Sequence, residues 1–334
     1  MLKLLVLTKE PDIPEQKLIE RLSEKFETLV VSSKKFAEKL DTLTVNTTSK
    51  LDFRPFFSLC NRKFDAAICF DSKTIPTAIL LKVAGRLKKI VAYRGTTSRI
   101  RVLDPSSWLT FKNPLIDLIV ANCDAVRRSM VGDGINPDKI SVIFKGHKQD
   151  WYEETELLSP DERGDFVTFV NYRKSKGLER ICDFVLKHFP THSLTVFGWV
   201  PDHLKAKYKM FTQIKWAGYQ PRAFRFLPNF KIFILLSHQE GIPKSAVEAS
   251  FKKLPVVLNK VGGVEEVWNE QNAVLFPNTE TQYADLLERI EKLLRNSELR
   301  AKLAKSGLYL VKDKLNFDKT VLEYEKLLMS FVAK

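Results

Sequence analysis

Short, almost continuous apolar runs recur along this chain, and segments of helical length separate them. The runs do not alternate between apolar and polar residues. This is typical of parallel strands whose two faces are both buried under helices, so it restricts the fold strongly. The predicted strands are Leu4–Leu7, Thr28–Val31, Ala67–Phe70, Ile90–Tyr93, Leu118–Ala121, Ser141–Phe144, Val167–Val170, Leu194–Phe197, Ile214–Ala217, Ile232–Leu236, Val256–Asn259 and Ala273–Phe276.

Strands and helices alternate in two successive blocks, so we predict an α/β protein with two doubly wound parallel sheets. A chain of 334 residues is long enough for two domains of ordinary size. The acidic, turn-rich segment 152–165 lies between the blocks and predicts domains over 1–158 and 159–316. The predicted helices include Glu15–Glu27, Thr77–Leu87, Leu178–His188, Gln282–Asn296, Glu298–Leu315 and Phe317–Val332.

The composition is that of a globular protein, with 44% hydrophobic and 28% charged residues, and it excludes a disordered or fibrous chain. No apolar run reaches the length of about 18 residues that predicts a membrane-spanning helix, and the N-terminus lacks the features of a secretory signal. The four cysteines lack metal-ligand spacing and fit core thiols of a reducing compartment. We therefore expect a cytoplasmic protein. The cysteines are Cys60, Cys69, Cys123 and Cys182.

Basic residues are in excess, because 54 Lys and Arg stand against 40 Asp and Glu and give a net charge of +14. Two stretches, 82–103 and 203–239, contain no acidic residue. Such surfaces attract polyanions, which makes nucleic acid, nucleoside diphosphates and an anionic membrane candidate partners. Lysines that serve only solubility would give the same excess.

Glu240 and Glu248 flank the start of a predicted helix. Glu240 follows the strand Ile232–Leu236, and Pro243 suits the first position of the helix. The free amides at a helix N-terminus favour phosphate, and carboxylates accept hydrogen bonds from sugar hydroxyls. The pair therefore predicts a site for a phosphorylated sugar. A capping Glu240 and a surface Glu248 would explain the same spacing if it stood alone.

A Gly262-Gly263 turn follows the buried strand Val256–Asn259 and precedes another helix. Glycines at this point let the backbone approach a ligand at the start of the helix. A tight turn without a ligand is the alternative.

Together, Glu240-Gly241-Ile242-Pro243, Glu248-Ala249 and Gly262-Gly263-Val264-Glu265-Glu266 resemble the donor-binding signature of family 4 glycosyltransferases. Those enzymes are retaining, use nucleotide-sugars and have the GT-B fold of two Rossmann-like domains facing a cleft. Residues 169–177 are similar to the family's phosphate loop, and Gly198 to its next glycine turn. The first half of the chain is more weakly similar, through Asp71-Ser72-Lys73, Tyr93-Arg94-Gly95-Thr96 and Phe144-Lys145-Gly146. The resemblance also implies that the helix over 317–334 returns to the first domain.

The resemblance implies roles for the individual residues. Glu248 would bind the ribose of the donor, and Glu240 the hydroxyls of the transferred sugar. Lys176, assisted by Arg173, would neutralise the departing diphosphate, so no metal ion is expected. The remaining donor-binding positions are the amides of Gly241 and Ile242, near the sugar and diphosphate, and the glycine turns at Gly198, Gly262 and Gly263.

Arg94-Gly95 stands where many members of the family have His-Gly beside the anomeric centre. The resemblance thus implies that Arg94 binds donor phosphate or an acidic acceptor. The reaction would transfer a sugar, with retention, to a hydroxyl of a saccharide or glycolipid in bacterial surface polysaccharide or lipopolysaccharide synthesis. A nucleotide-sugar epimerase of the GT-B fold and a basic nucleic-acid-binding protein are the alternatives. Nucleic acid is not the expected partner, because the basic residues lack a recognition motif or a stacking platform.

Arg99, Arg101 and Lys112 bracket an apolar cluster, Trp108-Leu109 with Phe111, in the first domain. Cations beside aromatic side chains suit an anionic lipid surface, so we predict peripheral membrane binding. The alternative packs Trp108 and Phe111 into the core.

Overall fold

The computed structural model describes residues 1–33, 40–45, 54–97, 110–170, 174–276 and 283–331. They form two compact units, of which the first contains Met1–His147 and Leu315–Lys334 and the second contains Lys148–Lys314. The C-terminal helix therefore belongs to the first unit. Among the described residues, no helix is both long enough and apolar enough to cross a membrane.

The described residues of the first unit form a fully parallel sheet in the order β3-β2-β1-β4-β5-β6-β7. Its strands are β1 (Lys3–Leu7), β2 (Glu27–Ser32), β3 (Asp41–Thr44), β4 (Phe64–Cys69), β5 (Leu87–Arg94), β6 (Leu118–Ala121) and β7 (Ile140–Val142). The helices that precede the second unit are α1 (Ile13–Ser23), α2 (Arg54–Leu59), α3 (Ile75–Val83) and α4 (Asp124–Gly132).

The second unit contains another fully parallel sheet, which in the described residues has the order β10-β9-β8-β11-β12-β13. Its strands are β8 (Gly164–Phe169), β9 (Leu194–Phe197), β10 (Ile214–Gly218), β11 (Phe230–Leu235), β12 (Val256–Asn259) and β13 (Val274–Phe276). The helices are α5 (Leu178–His188), α6 (Asp202–Lys207), α7 (Lys244–Phe251), α8 (Val264–Val267), α9 (Tyr283–Arg295) and α10 (Ser297–Lys314), and α11 (Phe317–Met329) follows in the first unit.

Every predicted strand coincides with or overlaps an observed strand, which confirms the α/β class. The apolar runs form strands because both faces of each sheet are covered. Leu4 to Val6 in β1, for example, are completely buried. Helix α5 covers the second sheet with side chains spaced as one helical face: Leu178, Ile181, Cys182 and Val185. The strand β3 was not predicted, because its sequence Asp-Thr-Leu-Thr has no apolar run and lies at the sheet edge.

The division between the units follows His147 and therefore lies before the predicted boundary at 158. The reason is that the acidic segment after it is fastened to the second unit. The Tyr152 ring stacks on Phe251 at 5.1 Å between centroids, and the ammonium of Lys252 donates to the carbonyl oxygens of Tyr152 (2.9 Å) and Glu154 (2.7 Å).

Asp117 joins the start of β6 to two other parts of the first unit. Its carboxylate accepts hydrogen bonds from Lys82 (2.5 Å), Lys89 (3.2 Å) and the amide of Ile90 (2.8 Å). Burial alone raises the pKa of Asp117, but these donors lower it by more, so the pKa lies below its usual range.

Asp117→Asn should therefore lower the free energy of unfolding by about 1–3 kcal/mol at neutral pH, as measured by urea denaturation. A depressed folded-state pKa means that the ionised carboxylate stabilises the fold above its unfolded-state pKa. This stabilisation is lost as the pH falls through the folded-state pKa. The difference between parent and variant should consequently shrink in acid. Asp138→Asn removes an exposed carboxylate of the same unit and should change stability little. Equal stability of Asp117→Asn and parent at neutral pH would contradict the assignment.

Candidate active site

Most of the predicted site residues lie at one edge of the second sheet, where neighbouring strands end. Lys176 follows β8, Glu240 follows β11, and the Gly262-Gly263 turn follows β12. Because parallel strands place their carboxyl ends at one edge, the structure brings these segments together. The chain also changes direction across the sheet between β8 and β11. Ligands of open α/β sheets bind at such a switch point.

Lys176 and Glu240 form an ion pair, with Nζ 2.6 Å from Oε1. Glu240 is only 7% exposed, and Lys176 is half-buried. The loop that carries Lys176 is held against the end of β11, since the amide of His238 donates to the carbonyl oxygen of Ser175 at 2.7 Å. Gly177 has φ +65°, and a Cβ there would lie 2.1 Å from the carbonyl oxygen of Leu236. The lysine is therefore placed by a loop that needs glycine.

Glu248 lies in α7 and is 9% exposed, so it is not the surface residue that the alternative interpretation required. The ammonium of Lys244, one helical turn earlier, lies 3.5 Å from its Oε1. Lys244 was not among the site residues predicted from the sequence. Pro243 is the N-cap of α7 in extended conformation rather than its first helical residue, a shift of one position from the prediction. Both glutamates of the motif are thus nearly buried, and each has a lysine beside it.

The Gly262-Gly263 turn packs directly on the Glu240-Gly241 backbone. Gly262 has φ +58°, and a Cβ there would lie 1.9 Å from the carbonyl oxygen of Glu240. The amide of Gly263 donates to the carbonyl oxygen of Gly241 at 3.0 Å. Ile242 continues this backbone towards α7. The turn is therefore part of the structure that positions Glu240.

Gly198 lies at the end of β9, next to the end of β8. Its φ is +120°, and a Cβ there would lie 1.6 Å from the carbonyl oxygen of Val170. Its amide donates to the carbonyl oxygen of Gly218, at the end of β10, at 2.7 Å. Gly198 therefore allows three strand ends to approach one another. Arg173 lies outside the described residues.

Two further polar residues lie at the ends of β11 and β12, and sequence reasoning missed both. Asn259 donates through Nδ2 to the carbonyl oxygen of Ser237 at 3.0 Å. The Asn259 Oδ1 and the Ser237 Oγ are buried and find no hydrogen-bond partner within the part of the chain that the structure describes. These two residues tie the strand ends that carry Glu240 and Gly262. Nothing in their sequence context signalled this contact.

Arg94 ends β5 in the first unit. Its guanidinium lies over the Phe111 ring, 4.9 Å from the centroid, and its Nε donates to the carbonyl oxygen of Thr96 at 3.2 Å. Burial lowers the pKa of Arg94, and the nearby charge of Asp133 opposes this shift. Phe111 is 5% exposed, so its predicted exposure to a membrane is wrong, because it packs beneath this cation. Arg99, Arg101, Trp108 and Leu109 lie outside the described residues.

Lys145 forms a half-buried charge cluster at the same edge of the first sheet, and this cluster was not predicted from the sequence. Its ammonium contacts Glu15 at 2.6 Å and Asp12 at 3.1 Å and lies 5.2 Å from the centre of the Tyr93 ring. Burial alone would lower the pKa of Lys145, but these groups raise it well above its ordinary value. Asp12 and Glu15 also form the capping box of α1. Lys145 thus fixes the start of α1 to the segment after β7.

The second-unit site combines two carboxylates with two lysines, which suits a ligand that carries both hydroxyl donors and negative charge. Within the described ranges, no group of three or more His, Cys, Asp or Glu side chains is arranged to hold a metal ion. The glycine turns let the surrounding backbone pack closely, with Gly262 against the carbonyl oxygen of Glu240. This arrangement is suited to a phosphorylated sugar.

Residues 151–308 match the model of the family described as Glycosyl transferases group 1. The match confirms the resemblance at that level, and membership of family 4 remains a prediction. The O-antigen biosynthesis glycosyltransferase WbnH of Escherichia coli is 27% identical over 140 residues, 41% of this chain and 40% of that protein. The N,N'-diacetylbacillosaminyl-diphospho-undecaprenol alpha-1,3-N-acetylgalactosaminyltransferase of Campylobacter jejuni is 29% identical over 109 residues, 33% of this chain and 28% of that protein. The match therefore spans less than half of either relative.

The solved structure of Anabaena HepE in complex with UDP and glucose is similar over 99% of this chain and all of that chain, with a TM-score of 0.78 and 16% identity. At this identity the similarity concerns the fold. It confirms the predicted GT-B fold, with its two Rossmann-like domains.

Proposed function

We propose, from the premise that residues 151–308 form a glycosyl transferases group 1 domain, that this protein is a retaining glycosyltransferase. It moves a sugar from a nucleoside diphosphate sugar to a hydroxyl of a saccharide or glycolipid, in the synthesis of a bacterial surface polysaccharide or lipopolysaccharide. The single observation that carries the proposal is the placement of Glu240, Glu248 and Lys176 around the switch point of the second sheet.

The two buried glutamates suit the two sugars of such a donor. Glu248, in the second turn of α7, accepts hydrogen bonds from the ribose, and Glu240 accepts them from the transferred sugar. The diphosphate lies between these sugars, near Lys176 and the amides of Gly241 and Ile242. Lys176 stabilises the negative charge that grows on the diphosphate as it leaves. Arg173 and Arg94 are proposed as further cations for the donor or an acidic acceptor.

Retention follows if the acceptor attacks on the face from which the diphosphate departs. The acceptor oxygen bonds to the anomeric carbon while the bond from that carbon to the diphosphate oxygen breaks. The departing phosphate oxygen then takes the proton of the acceptor hydroxyl. No carboxylate acts as nucleophile in this scheme, because Glu240 and Glu248 are engaged with hydroxyl groups.

The names of relatives support a surface-glycan acceptor. WbnH is named for O-antigen biosynthesis, and the Campylobacter jejuni enzyme is named for an acceptor linked to diphospho-undecaprenol. HepE was solved with UDP and glucose, which supports a nucleotide-sugar donor. These names suggest which probes to try first.

The direct test is product analysis. Thermal shift with UDP, GDP, ADP and their sugars would identify the donor, since a ligand at about 100 times its Kd stabilises a protein by about 2.7 kcal/mol. That donor would then be incubated with oligosaccharide and polyprenyl-diphosphate-linked acceptors, and the anomeric configuration of the product read by NMR. A new glycoside of unchanged configuration is expected. Release of free sugar without an acceptor would favour the epimerase, and an inverted product would overturn retention.

Turnover should not require a divalent metal. Lys176, with Arg173, offers positive charge for the diphosphate, which is the role that a metal fills in metal-dependent transferases. Activity in excess chelator should therefore equal activity in buffer alone. Loss of activity in chelator and its recovery with magnesium or manganese would contradict this expectation.

We also propose that the enzyme meets a membrane-borne glycolipid at an anionic lipid surface. With Phe111 buried, the proposal now depends on Arg99, Arg101 and Trp108. Each cation near an anionic leaflet adds about 1 kcal/mol to binding, and Trp suits the interface.

The parent should sediment with vesicles rich in anionic lipid at low salt, and the triple variant Trp108→Ala, Arg99→Glu, Arg101→Glu should not. Lys312→Glu with Lys314→Glu makes the same charge change at exposed positions of the second unit and should sediment like the parent. If the triple variant binds as well as the parent, or the parent ignores such vesicles, the membrane proposal fails.

A further inference from the structure

Lys244 forms an ion pair with Glu248, just as Lys176 forms one with Glu240. Each lysine places its ammonium next to the carboxylate of a nearly buried glutamate, at 3.5 Å for Glu248 and 2.6 Å for Glu240. The proposed function already gives Lys176 a role, because its ammonium faces the diphosphate of the donor. Lys244 has no role there, although it is the first residue of the helix that carries Glu248.

An anionic ligand makes the charge balance at this site critical. Two buried carboxylates would repel the diphosphate of a donor, and such repulsion is weakly screened where water is excluded. The lysines bring the net charge of the four side chains to zero. Lys244 also lies in the first turn of α7, where the helix amides favour negative charge. Its side chain keeps 44% of its exposure, so it can shift when a ligand enters.

We infer that Lys244 is a positioning residue of the donor site: its ammonium offsets the charge of Glu248, so that this carboxylate can bind ribose hydroxyls close to a diphosphate. The inference rests on the proposed function, because it requires a nucleoside diphosphate as ligand. Lys244 is then a second cation of the donor site, besides Lys176, and it lies at the end of the site that binds the ribose. The effect falls on donor affinity and therefore on the KM for the donor rather than on kcat.

The test is a double-mutant cycle read by calorimetry with whichever of UDP, GDP and ADP binds the parent most tightly. Lys244→Met should raise the Kd about tenfold, which corresponds to about 1.4 kcal/mol. In a Glu248→Gln background the same lysine change should alter the Kd less than about threefold, because no charge remains to be offset. Lys244→Arg should retain most of the affinity of the parent.

The matched control is Lys292→Met. Lys292 pairs with Glu288, also four residues away, on the exposed face of helix α9, so its loss should leave the Kd unchanged. Parental affinity in Lys244→Met would overturn the inference and leave the proposed function standing. An equal loss in the parental and the Glu248→Gln backgrounds would overturn it too, since Lys244 would then act on the diphosphate directly. If the parent binds none of these nucleotides or their sugars, both the inference and the proposed function fail.

Discussion

Glu240→Gln and Glu248→Ala should each lower kcat/KM for the donor by about one to two orders of magnitude while the second unit stays folded. Each change removes a charged acceptor from a donor hydroxyl in a buried site. A hydrogen bond to a charged group contributes about 1.5–3 kcal/mol, which corresponds to a factor of about 10 to 150. Glu240→Gln adds a second effect, because Lys176 loses the carboxylate that holds it at 2.6 Å. The lysine then presents its charge to the diphosphate from a less fixed position.

The measurement is kcat/KM for the donor, with circular dichroism to show that the fold is kept. Glu298→Gln removes one negative charge from an exposed position in the first turn of α10 and should turn over at the parental rate. If Glu240→Gln and Glu248→Ala both match the parent in kcat/KM for the donor, the two glutamates do not bind the donor. Loss of activity in the Glu298→Gln control would instead point to a general effect of charge.

The fold could be predicted from the sequence because its strands are buried on both faces. A run such as Val256–Asn259 leaves no polar face for solvent, and the structure has a strand at those same residues. Where burial is incomplete the signal weakens, as in β3, whose four residues include two threonines and an aspartate. The domain boundary depends on packing that the sequence does not reveal. In the sequence the acidic segment resembles a linker, but in the structure Lys252 binds its carbonyl groups and holds it to the second unit.

The candidate site was predictable as a set of residues and not as a set of contacts. Glu240 and Glu248 stand out because they flank a helix start, which is a local feature. Their neighbours come from distant parts of the chain, and Lys176 is 64 residues from the carboxylate it pairs with. The Lys145 cluster in the first unit likewise joins residues more than 100 positions apart. Only tertiary packing reveals such pairs.

The Gly262-Gly263 pair also shows that the sequence predicts a feature without its tertiary contacts. Two adjacent glycines predict a turn, and the sequence does not say what the turn touches. In the structure, the backbone of Glu240 lies against Gly262. The position therefore requires glycine for two separate reasons, its left-handed backbone and the absence of space for a Cβ. A substitution there should act on both stability and donor binding.

Gly262→Ala should destabilise the second unit by about 2–5 kcal/mol and weaken donor binding at least tenfold. The left-handed φ of +58° costs an L-residue about 1–2 kcal/mol. The new Cβ would also lie 1.9 Å from the carbonyl oxygen of Glu240, which is a backbone atom and cannot turn aside as a side chain does. Relieving such overlap typically costs a further 1–3 kcal/mol. The relief must displace the Glu240 backbone or the turn that packs on it, and either shift disturbs the support that holds the carboxylate beside Lys176.

Urea unfolding followed by tryptophan fluorescence measures this effect, because Trp151, Trp199, Trp216 and Trp268 all belong to the second unit. Gly218→Ala separates the two causes. Gly218 has φ +69° in the same unit, and a Cβ there meets nothing within 4 Å, so only the backbone cost of about 1–2 kcal/mol should appear. Equal destabilisation in the two variants would mean that the Glu240 contact carries no strain. Full donor affinity in Gly262→Ala would mean that this turn does not position Glu240.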